Sequence, residues 1–307
     1  MPDLQLHLDR ATTFYDYLRI DGWLLKDEDD LSEIVVAFGD RVVHRETKNL
    51  HLPSPDIGIN AHCRFVISTL LPDGFDKAGP TLTFLFRDGS EHVLSIEAYV
   101  HERFDAAEHG FIRFRELVRQ RPGARVLEIG SRARSGEDRR QDFPSADYVG
   151  TDLLAGPNVD VVADAHELSR VLGDRRFDFA FSISTFEHVA MPWKVVIELN
   201  RVLEPGGVVY VQSHQTCGMH DLPWDFWRFS DSAYRALFNR HAGFEVIETG
   251  QERLLHTIPF LRFTPDWSDV EDAAGYYLTY VMAEKVSSTA LEWNVPLADV
   301  ARESYPF

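Results

Sequence analysis

RVLEIGSRARSGEDRRQDFPSADYVGTDLL (125–154) holds two short apolar runs, RVLEIG and DYVGTD, separated by a polar loop. Near-continuous apolar runs of this length suit strands buried on both faces of a parallel sheet. The same rhythm continues in VDVVAD (159–164), FDFAFS (177–182) and VVYVQS (208–213). Crossover helices of about a dozen residues fit between the later strands. Pro192 is placed to open the helix of WKVVIELNRVL (193–203), because its missing N–H is not needed in a first turn. Pro205-Gly206-Gly207 is expected to break the chain before the next strand. Upstream, AAEHGFIRFRELVRQ (106–120) spaces Phe111, Phe114, Leu117 and Val118 at helical intervals, and Pro122-Gly123 ends it. FEVIET (244–249) and YYLTYVMAEKV (276–286) read as two closing strands. The region is an α/β domain.

Before it the rhythm differs. EIVVAF (33–38), RVVHRE (41–46), CRFVIS (63–68), PTLTFLFR (80–87) and EHVLSIEAYV (91–100) are rich in Val, Ile, Phe and Thr, and several alternate apolar with polar. Gly39-Asp40 and Asp88-Gly89 stand where hairpin turns belong. The expectation is a smaller antiparallel β-sandwich-like domain over 1–103, followed by the α/β domain over 104–307. Leu50 to Asn60 reads as a long loop, and the acids 27–30 (DEDD) as a solvated one.

The chain has 307 residues, 44% hydrophobic and 26% charged, enough apolar material for cores without disulfides. Cys63 and Cys217 cannot form a disulfide scaffold or a four-thiolate zinc site. The net charge is −18, divided as −9 on residues 1–105 and −9 beyond, so no basic half exists to hold a phosphate backbone. A nucleic-acid partner is therefore not expected. No run approaches the roughly 20 apolar residues of a membrane span. MPDLQLHLDRATTFYDYL (1–18) carries acids where a signal peptide needs a basic start, so a cytoplasmic location is expected.

In an open α/β sheet, ligands bind beyond the carboxyl ends of the strands. Those ends carry an ordered set. The first strand ends Glu128-Ile129-Gly130-Ser131, the second in Asp152, the third in Asp164-Ala165-His166, the fourth in Ser182 to His188. A carboxylate after the second strand can accept ribose hydroxyls, and one after the third an exocyclic purine amine. Gly130 permits close backbone approach. A nicotinamide fingerprint is absent, since G-x-G-x-x-G would need glycine at Arg132 and Ser135.

VLEIGS (126–131), GTDLL (150–154), DVVADAHEL (160–168), FDFAFSISTFEHV (177–189) and ELNRVLEPGGVVYVQS (198–213) together resemble the class I S-adenosylmethionine-dependent methyltransferases, most closely their type 11 branch. LPWDFWRFS (222–230) followed by GFEV (243–246) resembles a later segment of the same relatives. The resemblance runs from about Gly123 to Ser287 and implies a Rossmann-like seven-stranded sheet, S-adenosylmethionine as cofactor and S-adenosylhomocysteine as product. It places Glu128 and Gly130 beside the methionine part, Asp152 at the ribose, Asp164 and Ala165 at the adenine, and Ser182 to Thr185, with Ser184 among them, beneath the transferred methyl. Ser131, Arg132 and Leu153 fall within the same cofactor motifs. The family pattern has glycines where Arg132 and Arg134 stand, so a differently routed loop is expected. The N-terminal domain is unassigned, a structural role or a homodimer contact being the expectation.

Methyl transfer to a hydroxyl needs a base near the ends of the fourth and fifth strands. His188 and His214 are the candidates, with His220-Asp221 next. His214, His220 and Asp221 offer an alternative as metal ligands, but their spacing matches no tight motif and no metal is expected. Trp224, Phe226, Trp227 and Phe229 surround Arg228, with Asp221 and Asp225 nearby, a setting for a sugar or a flat ring at the acceptor rim. The expected activity is O-methylation of a glycan or other small acceptor. The rival reading is an inactive Rossmann-like scaffold binding a sugar or a protein.

Overall fold

The computed structural model describes residues 5–14, 17–25, 31–48, 50–53, 62–71, 79–96, 100–102, 108–134, 136–255 and 275–301. The chain divides into two compact units, one within residues 1–104 and the other comprising Asp105–Leu255 with Gly275–Phe307.

The first unit is two sheets. One has the order β5-β6-β2-β1-β9, from β1 (Gln5–Phe14), β2 (Tyr17–Leu25), β5 (Leu52–Pro53), β6 (His62–Leu70) and β9 (Val100–Glu102). The other has the order β4-β3-β7-β8, from β3 (Leu31–Phe38), β4 (Arg41–Glu46), β7 (Thr81–Phe86) and β8 (Glu91–Ser95). Alternation along β3 and β7 sends Ile34, Val36, Leu82 and Phe84 into a core shared with Leu18, Ile20, Phe65 and Ile67 of the other sheet. All strand pairs are antiparallel except β1 with β9. The long β1 and β2 lie outside the strand runs expected from sequence. Their second face buries Thr12, Arg19 and Asp21, so polar positions are not left to solvent there. The run 91–100 is not one strand: β8 ends at Ser95 and Val100 opens β9. β5 interrupts the expected loop at 50–60, and the acids 27–30 lie outside the described residues.

The second unit begins with α1 (His109–Arg119) and is built on one seven-stranded sheet, ordered β12-β11-β10-β13-β14-β16-β15. These are β10 (Arg125–Ile129), β11 (Asp147–Asp152), β12 (Val161–Val162), β13 (Phe177–Ile183), β14 (Leu203–His214), β15 (Phe244–Leu255) and β16 (Gly275–Lys285). Only β16 runs antiparallel to its neighbours. The sheet is buried on both faces, which is why its central strands read as continuous apolar runs. On one face Phe111 and Phe114 of α1 meet an aromatic layer with Phe143, Phe179, Phe181 and Tyr210. On the other, α3 (Pro192–Val202) and α4 (Asp231–Leu237) cover Leu127, Ala180, Val209 and Val211.

Two expectations need correction. Pro205-Gly206-Gly207 does not break the chain. It lies inside β14 as an irregularity, where the register against β13 slips between Phe177 and Phe179 and the extra residues are absorbed. Full crossover helices are also scarcer than expected. A 3₁₀ turn (Arg139–Asp142) stands between β10 and β11, and only five residues form α2 (Leu168–Leu172). The third strand shrinks to the two residues of β12 at the sheet edge.

β10 has β11 on one side and β13 on the other, so the chain reverses its direction of travel across the sheet at this point. Loops from the carboxyl ends of adjacent strands part there and leave a crevice.

Candidate active site

The crevice is a cleft of about 490 Å³, continuous in its lining with a narrower cavity of about 70 Å³ through Gly130, Asp152, Thr185 and His188. Gly130 has φ +85°, and a Cβ there would meet Thr185 Oγ1 at 2.0 Å. Glycine at the end of β10 is thus required by both conformation and space. Among the described residues six others adopt positive φ without being glycine, and four of them, Ala133, Ser184, Asp221 and Arg253, line the cleft. Such backbone costs of the order of 1–3 kcal/mol per residue and collects at functional sites.

Glu128 projects into the cleft from β10 and is 5% exposed. Burial pushes its carboxyl up to about 7, against a hydrogen bond donated by the Tyr148 hydroxyl and the charge of Arg139. Ser131 lines the cleft, but its hydroxyl is donated to the Asn158 carbonyl at 3.0 Å and ties the loop to the edge of the sheet. Arg132 turns toward Asp152, its Nε 3.7 Å from Oδ1, which also accepts the Leu154 N–H at 3.0 Å. Asp152 lines both cavities, and its Oδ2 makes no hydrogen bond among the described residues.

Leu153, Asp164 and Ala165 line the narrower cavity with Ile129, Ala163, Val189, Trp224 and Leu297. Asp164 Oδ1 accepts from the His166 backbone N–H at 2.9 Å and lies 2.7 Å from its Nδ1. Burial works to raise the Asp164 carboxyl, and the bonds from His166 overcome it, leaving the group ionised and below its ordinary range. A partly apolar slot edged by the carboxylates of Asp152 and Asp164 can hold a ring that carries hydrogen-bond donors. One wall comes from α5 (Leu297–Val300), reached by a tail without regular structure. The tail is held where Thr289 N–H meets Asn200 Oδ1 at 3.0 Å, Trp293 Nε1–H meets Met191 Sδ at 3.3 Å and Lys194 Nζ meets the Val295 carbonyl at 2.9 Å.

At the far end of the cleft the 3₁₀ turn Phe186–His188 presents Glu187 and His188. Glu187 is fully buried, its Oε2 accepting from Ser213 Oγ at 2.6 Å. His214 Nδ1 lies 2.7 Å from Glu187 Oε1, close enough to pair charge, with the ring N–H off the line of an ideal bond. Burial acts to raise the Glu187 carboxyl, but His214 and Ser213 hold it below its ordinary range. His188 Nδ1 is 2.6 Å from the Trp224 carbonyl, and its Nε2 lies 3.9 Å from Asp221 Oδ2. Asp221 is clasped by both terminal nitrogens of Arg134, at 2.6 and 2.9 Å, and that bond holds its carboxyl below the ordinary range. It is a poorer base than the sequence reading supposed.

Cleft and cavity thus bring together the sequence-derived site residues with one exception. Ser182 is buried, donates to the Ile129 carbonyl at 3.1 Å and lines neither cavity, so it ties β13 to β10 beneath the site. Its place facing the cleft is taken by Ser184 and Thr185. The aromatic segment also falls differently. Trp224 walls the narrower cavity, Phe229 stacks on Tyr234 in the core, and Trp227 donates its indole N–H to the Val189 carbonyl at 2.9 Å. Backbone N–H groups of Phe226 and Trp227 donate to the Glu187 carbonyl, so this segment fixes the turn. Asp225 and Arg228 pair with each other, the Asp225 carboxyl held down at about 2 by that guanidinium. Sequence reasoning missed Glu187, whose only signal was a carboxylate beside His188, and Arg134 as the clasp on Asp221.

Residues 140–211 match a family model described as a methyltransferase domain. A comparison with curated proteins finds no match. Among solved structures, the chain is similar to a Burkholderia thailandensis 1,6-didemethyltoxoflavin-N1-methyltransferase with bound S-adenosylhomocysteine. The identity is 16%, covering 59% of this chain and 80% of that one, with a TM-score of 0.41. It is also similar to the YcgJ protein of Bacillus subtilis at 16% identity, over 59% of this chain and 100% of that one, with a TM-score of 0.39.

Proposed function

We propose, from the premise that the C-terminal part of the chain is a class I S-adenosylmethionine-dependent methyltransferase domain, that its acceptor atom is a hydroxyl oxygen of a glycan or other small molecule. S-adenosylmethionine is the methyl donor of such a domain and S-adenosylhomocysteine the product. When bound, the donor supplies a methyl group already activated on a sulfonium sulfur.

The residues present fit that group. Glu128 would face the ammonium of the methionine part, and the bare backbone of Gly130 would let the chain run close beside it. Asp152 Oδ2 would accept from the ribose, with Arg132 holding the other oxygen's side. Asp164 and the Ala165 backbone would border the adenine between Leu153, Val189 and Leu297.

The observation that carries the oxygen reading is the Glu187–His214 pair. A wholly buried carboxylate 2.7 Å from His214 Nδ1 keeps the proton on that nitrogen and leaves Nε2 as the basic one. An imidazole so oriented offers the Nε2 lone pair to a proton, which an alcohol acceptor must lose as the methyl arrives and an amine need not. His188 is oriented in a similar way by the Trp224 carbonyl, but the acceptor closest to its Nε2 is the clasped Asp221.

The test is a panel of hydroxylated acceptors, nucleotide sugars among them, with matched amines and carboxylic acids, reading S-adenosylhomocysteine release. Turnover confined to hydroxyl acceptors is expected. Turnover of amines or acids alone would overturn the oxygen assignment.

A further inference from the structure

We infer that Glu187, His188 and His220 form a site for one divalent transition-metal ion at the acceptor end of the cleft. One ligand atom from each of the three lies within 4.8 Å of the other two, and all three residues line the cleft. They come from two loops, with 32 positions separating the two histidines, so no sequence spacing announces them.

Hydrogen bonds behind the rings prepare both histidines for coordination. His188 Nδ1 lies 2.6 Å from the Trp224 carbonyl, and His220 Nδ1 lies 3.0 Å from the Gly218 carbonyl. A carbonyl oxygen only accepts, so in each neutral ring the hydrogen is on Nδ1 and the lone pair on Nε2. A backbone carbonyl on the far nitrogen is the usual support of a metal-bound imidazole, fixing both tautomer and ring plane. His188 Nε2 then faces carboxylate oxygens, Glu187 Oε1 at 4.0 Å and Asp221 Oδ2 at 3.9 Å. Asp221 is already held by Arg134, so the lone pairs left to meet a cation are those of the two imidazoles and the Glu187 carboxylate.

The third ligand is held just as firmly. Ser213 Oγ donates to Glu187 Oε2 at 2.6 Å, and His214 Nδ1 approaches Oε1 at 2.7 Å. A carboxylate oxygen has two lone pairs, so Oε1 can meet His214 and a metal together. Two imidazole nitrogens and one carboxylate suit zinc, manganese or iron in the divalent state, whereas magnesium and calcium prefer oxygen throughout. Three protein ligands beside a cleft leave coordination positions for a substrate oxygen. The role, though not the site, rests on the oxygen-acceptor reading above. Positive charge beside an acceptor hydroxyl would make its proton easier for His214 to take.

Cobalt(II) is the probe, because its visible absorption reports nitrogen ligation. The full chain is stripped with chelator and titrated with cobalt(II), and S-adenosylmethionine binding is measured on the same sample by calorimetry. One equivalent should bind and be displaced by zinc. His220→Ala, at a half-buried position, should weaken cobalt binding roughly 10- to 100-fold or more while cofactor affinity is kept. His188→Ala should weaken cobalt binding likewise, and only the His220 variant serves as the control that keeps cofactor affinity. Failure to bind cobalt saturably, or equal affinity in the parent and both variants, would overturn the site. Cofactor binding without cobalt binding sinks this inference alone. Cobalt binding without cofactor binding upholds the metal site and sinks the methyltransferase reading of the cleft.

Discussion

The N-terminal sandwich and the C-terminal seven-stranded sheet both bury charged side chains, and they place them differently. In the sandwich two of the buried charges are mid-strand, while a third, Glu46, closes β4. Arg19 and Asp21 on β2 are 3% and 4% exposed, with Arg19 Nε on Asp21 Oδ1 at 3.3 Å and Nη1 on Ser68 Oγ of β6 at 2.9 Å. Those contacts stay within one sheet and fix how β2 lies on β6. In the seven-stranded sheet Glu128 and His214 stand at strand ends, and Glu187 just past one, all lining a cleft. The backbone repeats the contrast. Among the described residues His51 is the only non-glycine with positive φ in the first unit, while five occur in the second. A buried charge paired along its own sheet holds a fold together. One at the rim of a sheet, beside strained backbone, is held for something else.

The contrast can be broken by mutation. The largest effect is expected from His214→Gln, which should lower turnover by roughly 10²–10⁴-fold with little change in cofactor affinity, since Gln keeps hydrogen bonding but cannot take a proton. Steady-state rates beside calorimetric affinities check it, and full activity would remove His214 as the base. In the sandwich, Arg19→Met should cost stability instead, about 3 kcal/mol, because Asp21 stays buried after losing a partner. Denaturant melts measure that loss, and an unchanged cofactor affinity is expected alongside.

Glu128 gives the pH test. Its folded pKa, about 7, lies above the ordinary 4.5, so the folded state binds the extra proton between those values. Stability associated with the group is complete below pH 4.5 and is lost as pH rises to about 7, a change on the order of 3 kcal/mol. Glu128→Gln should flatten that slope, so the variant gains on the parent between pH 5 and pH 8 in thermal melts. An ammonium bound opposite Glu128 favours its ionised form. Cofactor binding at pH 6–7 should therefore release a proton, visible as a dependence of binding heat on buffer ionisation. A smaller loss, about 1.5–3 kcal/mol of cofactor affinity, is expected from Asp152→Ala by calorimetry. The smallest effect concerns the boundary. We propose that a fragment beginning at residue 104 folds alone and binds cofactor within about twofold of the full chain, because domains carry their own cores. Aggregation rescued by residues 1–103 would show a shared core instead.

Legibility in the sequence followed the same divide. Strands buried on both faces, such as Val126–Ile129 and Phe177–Ser182, read clearly because every position except Glu128 and Asp178 is apolar or small, and the strand ends located Glu128, Gly130, Asp152 and Asp164 without further help. β2 did not, because Arg19 and Asp21 occupy buried positions that periodicity assigns to apolar residues. What sequence reasoning could not reach were meetings between distant chain segments. Arg134 finds Asp221 87 positions away, and Glu187 finds Ser213 26 positions away. Periodicity reports which way a side chain faces, not which other side chain it faces. Ser182 shows the limit from the other side, its position at a strand end being right for a ligand and its hydroxyl already committed to Ile129.

The tail that carries Leu297 to the narrower cavity has a kinetic meaning. Between Ser287 and Pro296 it has no regular secondary structure and is held by isolated bonds to α3 and its approach. Segments with few buried contacts open locally at a fraction of the free energy needed to unfold a central sheet. One wall of the slot therefore belongs to a weakly held segment, while Ile129, also in its lining, closes the central strand β10. A ligand that fills the slot is expected to slow amide hydrogen exchange across 288–297.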